Sequence, residues 1–244
     1  MPIKRATIET VKKPLDVIYV IDTSSSMQGD KLQTVNKAMK ALENEFRNEA
    51  RKNPYAEINI RILTFGGINA KWHLKEKTNV NDFKYEDILV ADGVTPMADA
   101  FEKLTNVLDT NSYDQRSLRP IIVLLSDGEP TDGRGYTSNT YKKSLKKLLE
   151  LPWGRKATKV AIAIGKEADK DVLAEFTTDK NRVLEANNAT QITEFIKWTS
   201  TLVTHNSQHP DDDDLLTPLV MPIQNSVHNS QHNSVHFDDE NAFV

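Results

Sequence analysis

The chain has 244 residues, 38% of them hydrophobic, with 31 Lys and Arg against 35 Asp and Glu, 6 His and no Cys. That is enough apolar material for one α/β domain with extra polypeptide, and the absence of cysteine excludes disulfides, thiolate metal sites and cysteine nucleophiles. No apolar stretch approaches membrane-spanning length, and Met1 to Thr7 has no apolar run of the signal-peptide kind, so a cytoplasmic protein with no membrane partner is expected.

In chain order, residues 1–14 read as an extension, and Asp16 to Asp22 as a strand built on the apolar run Val17 to Ile21. Lys31 to Arg51 has Leu32, Val35, Met39, Leu42 and Phe46 on one helical face, and Glu57 to Phe65 reads as a second strand. Ala70 to Lys77 alternates around Trp72 and Leu74 just after Gly66-Gly67, as an antiparallel hairpin partner at the sheet edge would. A helix from Met97 to Leu108 follows, then a strand ending at Asp127, a helix from Thr140 to Leu151 and a strand from Lys159 to Ile164. A short helix over Asp169 to Phe176, a strand over Arg182 to Glu185 and a closing helix over Ala189 to Leu202 complete the pattern. Strands alternating with helices predict a doubly wound, mostly parallel sheet covered on both faces, with one antiparallel edge strand, over residues 15–204.

Three stretches carry chemistry. Asp22, Ser24 and Ser26 directly follow the first strand, at the carboxyl end where open α/β sheets place their ligands. Thr95 stands at a loop-to-helix junction, and Asp127 ends another apolar strand as Asp22 does. Each residue alone is equally well explained as a helix cap. Together they form a set of hard oxygen donors, low in charge, that suits Mg²⁺ or Mn²⁺.

The order Asp-x-Ser-x-Ser, then Thr, then Asp resembles the metal-ion-dependent adhesion site (MIDAS) of von Willebrand factor A domains, and Asp22, Ser24, Ser26, Thr95 and Asp127 match its five positions. Leu124 to Asp132 is further similar to the bacterial TerY and YegL branch, small intracellular A domains of tellurite-resistance-type operons. The similarity runs from about Asp16 to Val203. Ser25 and Val94 stand where the family often has glycine, which removes no oxygen ligand. The resemblance implies the A-domain fold and a module that binds a partner's Asp or Glu through the metal. It also implies a TerY-type stress-response setting beside a Ser/Thr kinase and a PP2C-type phosphatase.

A non-enzymatic binding module is therefore expected, with a metal-dependent phosphohydrolase at the same Mg²⁺ site as the alternative. Against the alternative, Ser24 stands where a D-x-D nucleophile would need its second carboxylate, and the chain has no G-x-x-x-x-G-K-[ST] loop. His73, the one histidine before residue 205, falls on the edge strand, where a solvated surface role is expected.

Residues 205–244 hold Asp211 to Asp214, no Lys or Arg and a repeated Asn-Ser-x-His unit, a composition that predicts a disordered tail. Seven of the 35 acidic residues lie there, leaving 28 against 31 basic ones in the body, a balance too weak for a nucleic-acid partner. Asp211, Asp212, Asp213 and Asp214 are candidates for a carboxylate placed on the metal in cis. Thr217, followed by Pro218 after the acidic run, is a candidate phosphorylation site.

Overall fold

The computed structural model describes residues 11–74, 76–86, 89–128, 130, 131 and 140–210. Its centre is a sheet in the order β3-β2-β1-β5-β6-β7, made of β1 (Lys13–Asp22), β2 (Ala56–Gly66), β3 (Asn69–Trp72), β5 (Ile121–Ser126), β6 (Thr158–Ile164) and β7 (Val183–Ala186). The short β4 (Thr78–Asn79) also pairs with β2. β2, β1, β5, β6 and β7 run parallel, whereas β3 and β4 are antiparallel to β2. The mostly parallel sheet with an antiparallel edge follows the expectation. The edge differs in detail: the strand expected over Ala70 to Lys77 stops at Trp72, although the His73 N–H still bonds the Ile62 carbonyl, and strand pairing with β2 resumes at Thr78.

β1, β5 and β6 are near-continuous apolar runs because both of their faces are covered. Alternation divides β1 between two cores. Leu15, Val17, Tyr19 and Ile21 pack with α1 (Asp30–Lys52), α6 (Ala189–Thr199) and α7 (Thr201–Gln208). Ile18 and Val20 pack on the other side with α2 (Met97–Val107), α3 (Thr140–Glu150), α4 (Pro152–Lys156) and α5 (Lys170–Thr177). The α1 stripe read from the sequence, Leu32, Val35, Met39, Leu42 and Phe46, is buried in the first core. Between the strands and α6, the Tyr19 hydroxyl meets the Thr199 hydroxyl at 2.5 Å, and burial pushes the Tyr19 phenol upward.

The ends of the body lie outside the expected boundaries. β1 begins at Lys13, where the Lys13 N–H bonds the Tyr55 carbonyl and sets the register with β2. The closing helix breaks at Ser200 and continues as α7 to Gln208, four residues into the stretch expected to be tail. Composition misled there because Asn206 and Ser207 are polar and yet buried with partners. Asn206 Nδ2 donates to Thr158 Oγ1 at 3.0 Å and Asn53 Nδ2 to Ser207 Oγ at 2.7 Å. Residues 211–244 lie outside the described residues.

Candidate metal centre

The connection after β1 crosses one face of the sheet to β2, and the connection after β2 leads over the other face to β5, on the far side of β1. β1 and β5 therefore flank the point where the winding reverses, and the crevice beyond their carboxyl ends is where such sheets bind ligands. Asp22 ends β1, and Ser126 and Asp127 end β5, with Ile21 opposite Leu125 in parallel register.

Asp22 is fully buried. Its Oδ1 accepts from the Ser24 N–H at 2.8 Å, and its Oδ2 accepts from the Ser126 hydroxyl at 2.6 Å. The Gly128 N–H donates to that same hydroxyl at 2.9 Å, which leaves the Ser126 proton for Asp22. Burial pushes the Asp22 carboxyl up to about 6, the hydrogen bonds from Ser126 and Ser24 oppose this, and the negative charge of Asp127 adds to it. Ser24 Oγ and Ser26 Oγ are 3.0 Å apart at the start of a 3-10 turn over Ser25–Met27, anchored by the buried Met27.

Thr95 reaches the same end of the sheet through a backbone weave. The Asp92 N–H bonds the Thr23 carbonyl at 2.8 Å, the Ser25 N–H bonds the Gly93 carbonyl at 3.0 Å, and Gly67 pairs with Gly93 as an isolated parallel bridge. Gly93 has φ +61°, and a β-carbon there would lie 2.6 Å from the Gly67 Cα, so the weave needs glycine at this position. Thr95 is buried, and its N–H donates to Thr131 Oγ1 at 2.9 Å. On the β5 side, the Asp169 N–H bonds the Asp127 carbonyl at 2.7 Å and ties the residue after β5 to the α5 N-terminus.

Asp127 is buried, and its Oδ1 has no hydrogen-bond partner. Asp16, lower on β1, makes a useful contrast, since that buried strand carboxylate has Arg61 at 3.5 Å and Lys77 at 3.6 Å. Among the described residues, no Lys, Arg or His pairs with Asp22 or Asp127. Two buried acids, of which Asp127 raises the cost of ionising Asp22, with hydroxyls beside them and one oxygen unsatisfied, make a donor set that a hard divalent cation fits. No cluster of three or more acidic or histidine side chains occurs among the described residues, so the hydroxyls are essential to any such site.

The five residues picked out in sequence thus converge on one end of the sheet. Ser126 and Thr131 were missed there. Both act through cross-element hydrogen bonds, of which a hydroxyl after a strand gives no local signal. His73 lies against Tyr85 with ring centroids 5.8 Å apart and the rings tilted by 36°. Thr217 and Asp211 to Asp214 lie outside the described residues.

Fold and site together define an open, doubly wound α/β domain with oxygen-donor side chains gathered at its switch point. The chain belongs to the von Willebrand factor type A domain family, which it matches over residues 16–198. It is 26% identical over 209 residues to the pig (Sus scrofa) inter-alpha-trypsin inhibitor heavy chain H2, covering 80% of this chain and 21% of that protein. Human (Homo sapiens) heavy chain H6 is 27% identical over 181 residues, covering 69% of this chain and 13% of its own length. The chain thus spans about a fifth or less of these relatives. The von Willebrand factor domain of the Porphyromonas gingivalis pilus tip protein Mfa5 superposes with a TM-score of 0.61 at 12% identity, over 84% of this chain and all of that one. Proximal thread matrix protein 1 from the mussel byssus, with zinc in its MIDAS motif, superposes with a TM-score of 0.50 at 17% identity, over 79% of this chain and 47% of that one.

Proposed function

We propose that this chain is a metal-dependent protein-binding module in which Asp22, Ser24, Ser26, Thr95 and Asp127 hold a divalent cation that captures an Asp or Glu side chain of a partner protein. The observation that carries this reading is the buried, partnerless Asp127 Oδ1 beside the buried Asp22, an arrangement that a cation relieves. When bound, the cation offers an open coordination position to a further carboxylate, for which the sparse negative charge of a two-carboxylate, three-hydroxyl set leaves it electrophilic.

The protein's own groups do the rest. Ser126 and the Ser24 N–H orient Asp22, the glycine weave carries Thr95, and Ser26 is exposed at the rim of the site. The all-oxygen set favours Mg²⁺ or Mn²⁺, although the mussel thread matrix protein holds zinc in its motif. The bacterial TerY-type setting, with a Ser/Thr kinase and a PP2C-type phosphatase as partners, belongs to the same proposal and rests on the likeness around Leu124 to Asp132.

Calorimetric titration of the full chain with Mg²⁺, Mn²⁺ and Zn²⁺ tests the reading, followed by a pull-down of kinase and phosphatase candidates with and without EDTA. One-site binding of Mg²⁺ or Mn²⁺ and chelator-sensitive capture are expected. Capture that is indifferent to EDTA would sink the proposal. Metal-dependent hydrolysis of p-nitrophenyl phosphate, lost in Asp22→Ala, would replace it with the phosphohydrolase.

A further inference from the structure

The end of the sheet opposite the metal centre is basic and concave. Lys13, Arg119, Lys156 and Trp153 line a cavity of about 440 Å³ there, with Pro210 at its wall. Arg119 and Lys156 also border a second cavity of about 180 Å³, with Arg155, Lys159 and Arg182 around it. Six cationic residues thus converge on one surface, and among the described residues neither cavity has an acidic residue in its lining. Asp179 contacts Arg182 from outside, at 3.5 Å.

The cations are held in place. Lys159 is buried, and its ammonium donates to the carbonyls of Gly154 at 3.0 Å and Ala157 at 3.1 Å. Burial, and then the positive charge of Arg182, pull Lys159 down to about 8. The Lys156 ammonium lies 5.6 Å from the centre of the Trp153 ring. Such a cluster gains from a polyanion.

The chain brings one to it. α7 is fastened to the body by Thr204 Oγ1 donating to Glu49 Oε2 at 2.6 Å, as well as by Asn206 and Ser207. Its last turn ends on this surface, where Arg119 Nη2 donates to the His209 carbonyl at 3.3 Å. The next residues in the sequence are Pro210 and then Asp211 to Asp214. Four consecutive carboxylates therefore start at the wall of the basic cavity, within about 14 Å of Pro210.

We propose that the basic surface formed by Lys13, Arg119, Arg155, Lys156, Lys159 and Arg182 is a polycarboxylate-binding site occupied by the chain's own Asp211 to Asp214. A tether this short holds the acidic run at millimolar or higher effective concentration, so the intramolecular occupant prevails over free anions of similar intrinsic affinity. The tail is thereby latched at the end of the sheet remote from Asp22 and Asp127, and the site excludes other acidic segments until the tail is displaced.

Two measurements on the full-length chain test the latch. Carbodiimide coupling at low salt, read by mass spectrometry, is expected to join Asp211 to Asp214 to Lys13, Lys156 or Lys159 within the same molecule. In 1 M salt, where screening acts within about 3 Å, the links should fade. Coupling of these acids only to lysines elsewhere, such as Lys142 or Lys146, would overturn the proposal. Separately, a fluorescein-labelled tetra-aspartate peptide is titrated into the parent and into a variant with Asp211, Asp212, Asp213 and Asp214 all changed to Asn. The variant is expected to bind at least tenfold more tightly, because its tail no longer competes. Equal binding, whether both strong or both absent, would show that the tail does not hold the site.

Discussion

Ser126 and Asp22 are joined across two adjacent parallel strands by a 2.6 Å hydrogen bond in which the hydroxyl donates to the carboxylate. An ionised carboxylate can only accept, so the hydroxyl proton goes to Asp22 while Ser126 Oγ accepts from the Gly128 N–H, and the bond favours an ionised Asp22. Charge-assisted bonds of this kind contribute about 1.5–3 kcal/mol, and the groups that orient metal ligands govern about 10–100-fold in affinity. Ser126→Ala is therefore expected to weaken Mg²⁺ or Mn²⁺ binding by at least tenfold in calorimetry, with a far-UV spectrum like the parent's. Unchanged affinity would mean that Asp22 needs no help from β5.

Two glycines of positive φ separate backbone strain from close packing. Gly29 (φ +83°) has nothing within 4 Å of an added β-carbon, whereas at Gly93 (φ +61°) that carbon would meet the Gly67 Cα at 2.6 Å. Gly29→Ala should cost only the backbone penalty of a positive φ with ψ −136°, about 1–3 kcal/mol by urea denaturation. Gly93→Ala should cost more, because the Gly67–Gly93 bridge has to open, and it should also displace Thr95 and lower cation affinity. Equal costs at the two sites would show that the weave yields without consequence.

Asp22, Ser24, Ser26, Thr95 and Asp127 could be picked out because each sits at the end of an apolar strand or the start of a helix, which are local signals. Ser126, Thr131 and the Gly67–Gly93 bridge depend on which strand lies beside which, and nothing local distinguishes them. α7 was missed for a related reason. Asn206 looks like part of the Asn-Ser-x-His tail repeat, and only its bonds to Thr158 Oγ1 and the Arg119 carbonyl make it an interior residue. The break between α3 and α4, by contrast, is announced by Pro152, which cannot donate to a continuing helix.

Asp127 imposes a cost in the absence of metal, since it is a buried carboxylate with an unsatisfied oxygen whose charge also works against Asp22. Asp127→Asn removes the charge and keeps the shape. In EDTA the variant is expected to be more stable than the parent by about 1–2 kcal/mol, the scale of a relieved like-charge contact in a partly screened interior. In Mg²⁺ it should lose the cation-induced rise in melting temperature that the parent shows. A variant that is destabilised in EDTA would mean that the Asp127 carboxylate is already compensated inside the fold.

The elevated Asp22 carboxyl gives the metal-free chain a specific pH dependence. Its ordinary value is near 3.8, and in the fold it lies at about 6, so between these values the folded chain binds a proton that the unfolded chain has released. Stability from this group is full below about pH 4 and is lost as pH rises through 6, by roughly 3 kcal/mol for a shift of about two units. Other carboxylates titrate across the same window, so the contribution is isolated by difference. Asp22→Asn carries a pH-independent penalty for one lost acceptor, but its stability relative to the parent in EDTA should climb from pH 4 to pH 7. Saturating Mg²⁺ should reverse the trend by stabilising the ionised carboxylate in the parent alone. Denaturant midpoints of both proteins across that range, with EDTA and with Mg²⁺, give the comparison, and a pH-independent difference in EDTA would show that Asp22 is ionised in the fold even without a cation.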